Sequence, residues 1–74
     1  MMTEETPLIA KKAQFYLDKS QCIHILLETG IFYNGYLKYI GADFLLVEDI
    51  KKGETMIFFS EVKAIEPYMN KESL

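Results

Sequence analysis

The sequence predicts an all-β domain with an N-terminal helix: a small, five-stranded, strongly bent antiparallel barrel. Three observations carry that prediction. Residues 30–40 read as one long strand with a glycine, Gly35, in its middle, and an interior strand glycine marks a bulge, a sharp bend or a close backbone approach. Four shorter apolar runs, bounded by turn signals, stand around it at residues 21–29, 44–48, 55–59 and 62–66. The chain has 74 residues, 50% of them hydrophobic, which makes one domain near the lower size limit for a self-sufficient core.

Residues 1–5 are expected to fray. Thr6 and Pro7 then offer a helix start: Thr can cap orphan amides, and Pro in the first turn forfeits no hydrogen bond. Leu8, Ile9, Lys12, Ala13, Phe15, Tyr16 and Leu17 recur at helical spacing, which predicts an amphipathic helix over about 7–17 that ends near Asp18-Lys19-Ser20. So short a helix is marginal alone and must lie on the sheet. In the first strand, Ile23, Ile25 and Leu27 share one face and Cys22, His24 and Leu26 the other. Two apolar faces predict core on one side and helix on the other. Glu28-Thr29-Gly30 turns into the long strand, where Ile31, Tyr33, Gly35, Leu37 and Tyr39 share a face. The gap at Gly35 thus falls on the packed side, where the strand must curl. Gly41-Ala42-Asp43 ends it, and Asp49 to Glu54 form a turn with Gly53 placed for positive φ. Ser60-Glu61 reads as one turn of tight helix, Pro67 stops the fifth strand, and Tyr68 to Leu74 form a loose tail. The arrangement is of the SH3-like kind.

Charge narrows the function classes. The formal net charge is −3 and all 8 basic residues are lysines, so the chain as a whole lacks the basic footprint of a nucleic-acid binder. An oligomer could still gather its lysines on one surface. One cysteine, Cys22, cannot form an internal disulfide, and the longest apolar runs are far too short to span a bilayer. The acidic start is no signal peptide, so a soluble, cytoplasmic protein is expected. Cys22 and His24 share a strand face, but two ligands do not make a metal site and the chain holds no third Cys or His. Glu48, Asp49 and Glu54 flank a turn without calcium-loop spacing. No nucleophile elbow, phosphate-cradling glycine loop or placed carboxylate pair supports an enzyme, and no cofactor is implied. The fourth strand is apolar on both faces and carries neither charge nor proline over residues 56–59. An edge of that kind invites pairing. The expectation is strand-to-strand contact with a second copy, head to tail, closing into a ring.

The pattern Ile23-x-Ile25-x-Leu27-x-x-Gly30-x-x-Tyr33-x-Gly35-x-Leu37 resembles the first half of the Sm-like fold, shared by Sm, LSm and Hfq proteins. Residues 44–49, Gly53 and Ile57-Phe58-Phe59-Ser60-Glu61-Val62-x-x-Ile65 track the remainder. The resemblance implies a single Sm-like domain over 1–74, with its barrel at about 21–66, in a hexameric or heptameric homo-oligomeric ring. In such a ring the fourth strand of one subunit pairs with the fifth of the next, which here points to Met56, Ile57, Phe58, Val62, Ala64 and Ile65. It also implies single-stranded RNA, uridine- or adenine-rich, near the pore, and an RNA chaperone or scaffold. The Sm branch places an Asp, an aromatic and an Asn before the third strand; the corresponding residues here include Asp43 and Phe44, with no amide. The family's basic residue after the fourth strand falls on Phe59 and Ser60, which removes a phosphate contact and adds an aromatic that could stack on a base. Lys11 and Lys12 would form a basic rim.

Each candidate has a structural alternative. Phe58 and Phe59 can serve core or interface packing, Asp43 and Phe44 turn chemistry, Lys11 and Lys12 a solvated helix face, and Tyr33, Tyr36 and Tyr39 barrel packing. The alternative function is a protein-interaction or assembly module that kept the fold without the RNA site.

Overall fold

In the computed structural model, which describes residues 5–68, helix α1 (Glu5–Asp18) precedes β1 (Ile23–Leu27), β2 (Phe32–Ile40), β3 (Phe44–Asp49) and β4 (Gly53–Phe58). A 3-10 turn (Phe59–Glu61) then leads into β5 (Val62–Pro67). The frayed start and most of the loose tail predicted from sequence fall on residues 1–4 and 69–74, outside the described residues. Helix α1 is already formed at Glu5, so Thr6 lies inside it and not at its cap. Tyr68 is placed too: its amide donates to the Cys22 carbonyl at 2.9 Å and its ring stacks on His24.

All five strands form one antiparallel sheet in the order β4-β3-β2-β1-β5. The sheet curls round a core to which every strand contributes, built on Ile23, Ile25, Leu45, Val47 and Ile57, each almost wholly buried. The 3-10 turn knits the curl together. The Phe59 amide donates to the Asp43 carbonyl, and the Glu61 carbonyl accepts from the Glu28 amide, both at 2.9 Å. Between them these bonds tie the β4–β5 corner to the turns at both ends of β2.

The helix does not cover the second face of β1, as its two-sided apolar pattern suggested. It packs against β2, β5 and the 3-10 turn, and delivers Ala13 and Tyr16 into the same core as Ile23 and Ile25. A strongly curled sheet is concave on one side only, so the helix closes the open end of that concavity. His24 and Leu26, on the convex side, remain half-buried.

Along β2 the alternation predicted from sequence holds for Tyr33, Gly35 and Leu37 and then fails. Gly35 lies opposite Asp49, so close that an added Cβ would collide with the Glu48 carbonyl and come within 2.9 Å of Asp49 Cα. Close approach of two backbones is the reason for this glycine. Past Leu37 the register slips: Leu37 faces Val47 while Tyr39 faces Leu46. One extra residue, Lys38, inverts the side-chain phase. Tyr39 is therefore turned out to solvent, 57% exposed, and Ile40 takes the inward place beside Leu45. Ile31 precedes β2 and is exposed as well. Strand β4 ends at Phe58, one residue earlier than expected, which puts Phe59 in the 3-10 turn with its ring in the core. Pro67 closes β5 as its last paired residue, opposite Ile23, instead of standing beyond it.

Candidate nucleic-acid and subunit interface

Because β4 and β5 stand at the two ends of the strand order, each offers one backbone edge unpaired among the described residues. Side-chain phase decides what β4 presents. Ile57 lies opposite Leu45 and is 1% exposed, so this residue of the predicted interface belongs to the chain's own core. Met56 and Phe58 point the other way and are 53% and 44% exposed. Cross-strand neighbours continue the surface, since Phe58 pairs with Phe44 and Met56 with Leu46. Beside β5 runs a groove of about 690 Å³ whose apolar walls include Leu8, Ile9, Val62, Ala64 and Ile65. Val62 and Ile65 are themselves buried, so they present only part of their surface to it.

The residues predicted to meet RNA gather around the 3-10 turn, with one exception. The Phe59–Asp43 backbone bond holds Asp43 and Phe44 next to Phe59 and Ser60. Asp43 and Ser60 are exposed, and Lys12 lines the same groove as Ser60. Lys11, one residue away, is exposed but does not line it. Phe44 is half-buried, its ring lying over Gly41, where a side chain would have no room, and 6.0 Å from the ring of Tyr39. Phe59 is 5% exposed and packs in the core, so little of its surface reaches the groove that it helps to line. Glu61 turns back on the local backbone, its carboxylate accepting from the Phe58 amide at 3.2 Å. Sequence reasoning missed Lys63, which stands on β5 at the groove between inward-facing Val62 and half-buried Ala64. Strand alternation gives no signal for it: Ala64 pairs with Leu26 and Val62 with Leu27, so Lys63 is the extra residue of a bulge.

Asp49 is the buried carboxylate among the described residues, and its surroundings are structural. It accepts from the amides of Asn34 (2.8 Å), Lys51 (2.9 Å) and Lys52 (2.8 Å), which clamps the β3–β4 turn onto β2. Burial alone would push its carboxyl up; the three amides and the Lys52 charge outweigh that and hold it below the usual carboxylate range. Burial does push the Cys22 thiol up, against smaller opposing contributions from Tyr36 and the Ile23 backbone. His24 Nδ1 bonds Asn34 Oδ1, and its ring sits between those of Phe32 and Tyr68. No cluster of three or more His, Cys, Asp or Glu able to hold a metal ion occurs among the described residues. No described helix is long and apolar enough to cross a membrane.

A leading helix, a five-stranded curled sheet with β4 and β5 at its ends, and a 3-10 turn joining them define an Sm-like small barrel. Two solved structures bear this out. The chain is similar to the crystal structure of an Hfq protein from Anabaena sp., at 19% identity and a TM-score of 0.69, over 84% of this chain and 97% of that one. It is similar also to the crystal structure of Hfq described as a pleiotropic translational regulator, at 9% identity and a TM-score of 0.69, over 78% of this chain and 95% of that one. The chain therefore has the Sm-like fold seen in Hfq. No family model and no curated protein matches its sequence.

Proposed function

We propose that this chain assembles head to tail into a homo-oligomeric ring, hexameric or heptameric, and that the ring binds single-stranded RNA as a chaperone or scaffold in the cytoplasm. The observation that carries the reading is the pair of unpaired edges: β4 presents Met56 and Phe58, and β5 is flanked by an apolar groove. A heterologous contact of this kind buries both at once and leaves no edge when it closes. Likeness to a protein described as a translational regulator supports RNA as the ligand, and the resemblance drawn from the sequence gives the same ligand class. In this reading Lys12, Lys63 and Ser60 meet the backbone phosphates, with Asp43 and Phe44 beside them. Phe59 supports the turn from within, and no chemistry is catalysed.

Two observations favour a second reading, an assembly module that binds no RNA. The expected stacking residue, Phe59, is buried, and the family's basic position is vacant in a chain of net charge −3. Light scattering and fluorescence titration with oligo-U and oligo-A over a salt series decide between the two. The RNA reading expects a ring-sized mass and micromolar or tighter binding that weakens steeply with salt. A ring without such binding leaves the assembly reading, and a monomer at high concentration removes both.

A further inference from the structure

Among the described residues Met56 is the one methionine; Met1, Met2 and Met69 lie outside them. It stands on the outward face of β4, 53% exposed, with Leu46 opposite it on β3 and the exposed ring of Phe58 two residues on. Its neighbour Ile57 points inward and belongs to the core, which closes without Met56. In a free protomer the thioether is therefore open to water. In the proposed ring the same face of β4 is laid beside β5, against a groove whose apolar walls include Leu8, Ile9 and Ala64. One sulfur thus passes from water into an apolar contact as protomers join.

We propose that Met56 is a modification site: a peroxide oxidises it on the free protomer, and the sulfoxide so formed keeps that protomer from completing a ring. The inference rests on the ring reading. In the step itself one peroxide oxygen is transferred to Met56 Sδ. The O–O bond breaks, an S–O bond forms, sulfur gives up two electrons, and hydrogen peroxide is reduced to water. The product is polar where the parent side chain was flexible and apolar. Water solvates the new dipole on a free protomer, so the fold is indifferent to it. In the contact the dipole has to be desolvated, and Leu46 and Phe58 on its own chain, like Leu8, Ile9 and Ala64 across the groove, hold no side-chain donor for it. An unpaired polar group in an apolar contact weakens that contact. Only the β4 half of the protomer is affected, so its β5 edge still receives a neighbour and the oxidised copy ends a growing arc. With roughly 10% of protomers oxidised and mixed at random, about half of all six- or seven-membered circles would contain one. Closure in turn shields the sulfur, so finished rings resist the oxidant. Cys22 is the poorer target: it is half-buried, and burial pushes its thiol up, away from the reactive thiolate.

The test oxidises protomers and rings separately. Protein dissociated in urea, and protein left assembled, are treated with hydrogen peroxide, returned to buffer and mapped by peptide mass spectrometry. Met56 should gain one oxygen several-fold more slowly in the assembled sample. Protein oxidised in urea should refold with the parent circular dichroism and assemble with roughly tenfold weaker affinity in light scattering. Met56→Leu, oxidised in the same way, should assemble as it does untreated, which sets aside Met1, Met2, Met69 and Cys22. Met56→Gln should be folded and impaired in assembly with no oxidant present. Full assembly of protein carrying Met56 sulfoxide overturns the proposal, as does an equal loss in oxidised Met56→Leu or equal oxidation rates in ring and protomer. A monomer at every concentration before any oxidant is added refutes the ring reading and this inference with it, so the two failures are told apart.

Discussion

Replacing Asp49 tests whether the β3–β4 turn is held by a buried charge, as its hydrogen bonds imply. Its carboxylate accepts from three amides at 2.8 to 2.9 Å and is 8% exposed. A hydrogen bond to a charged group contributes roughly 1.5–3 kcal/mol. The three bonds are not equal: the amides of exposed Lys51 and Lys52 can be rehydrated when the acceptor leaves, but Asn34 lies within the sheet and is half-buried. Asp49→Ala should therefore destabilise by about 3 kcal/mol, near the full worth of one bond plus part of two. Asp49→Asn, which keeps the shape and one acceptor oxygen, should cost about 2 kcal/mol. The sign of the pH dependence follows from the lowered folded-state value. Stability from ionised Asp49 is fully present above its unfolded pKa of about 4 and is lost as pH falls through the lower folded value. Urea unfolding followed by circular dichroism, at one fixed protomer concentration, measures both effects at pH 7 and in steps down to pH 2. The asparagine variant should be weaker at neutral pH and show a shallower decline on acidification. Parental stability at pH 7, or an unchanged acid slope, would refute the clamp.

Three other substitutions separate core, bend and edge. Gly35→Ala should destabilise by about 3 kcal/mol or prevent folding, because the new methyl meets Glu48 and Asp49 backbone that cannot yield as a side chain would; expression and thermal melting report it. Phe59→Ala should cost about 3–5 kcal/mol as a large core truncation, while Phe58→Ala, a few bonds away but exposed, should leave the monomer fold intact and lower the assembled mass in light scattering. Met56→Lys places a charge on the outward face of β4 and should give a folded, smaller species in the same measurement, with oligo-U binding reduced in parallel if RNA needs the ring.

The sequence made the order of elements legible because turn signals and apolar runs are local properties. Gly30 and Gly53 stand at turns with φ of 95° and 84°, where other residues are strained. Gly35 was legible as a site of constraint because a strand gives up packing when it leaves an apolar position unfilled, and only a bend or a close approach offsets that loss. Features that depend on what lies across the sheet were not legible. The bulge at Lys38 has no local mark, since Tyr39 and Ile40 are both acceptable on either face until the pairing with β3 chooses. The seat of the helix was hidden for a similar reason: a two-sided apolar strand says that something covers it but not which side the helix takes. Lys63 escaped because a lone lysine in a short strand looks like any solvated residue.

The same ambiguity bears most heavily on the end of β4 and the residue after it, where four successive apolar residues, 56–59, give no phase of their own. The structure resolves it by giving Ile57 and Phe59 to the core and leaving Met56 and Phe58 outside. Both halves of that division have consequences. The inward pair leaves little of Phe59 for the stacking expected of it, since a ring that holds the β4–β5 corner closed turns out to meet a base only by opening the core. The outward pair is large, flexible or aromatic, and lies on a strand whose far edge pairs with nothing among the described residues. Proteins commonly protect such edges with lysine or proline; residues 55–59 hold neither, and in the proposed ring the protection comes from a second copy. The groove beside β5 offers apolar lining next to the sheet's other edge left free among the described residues. In the proposed ring, assembly is the step on which a ligand site at the 3-10 turn depends, because Ser60, Lys12 and Lys63 share an open groove with Glu28. A neighbour's β4 laid along β5 would give that surface its missing wall.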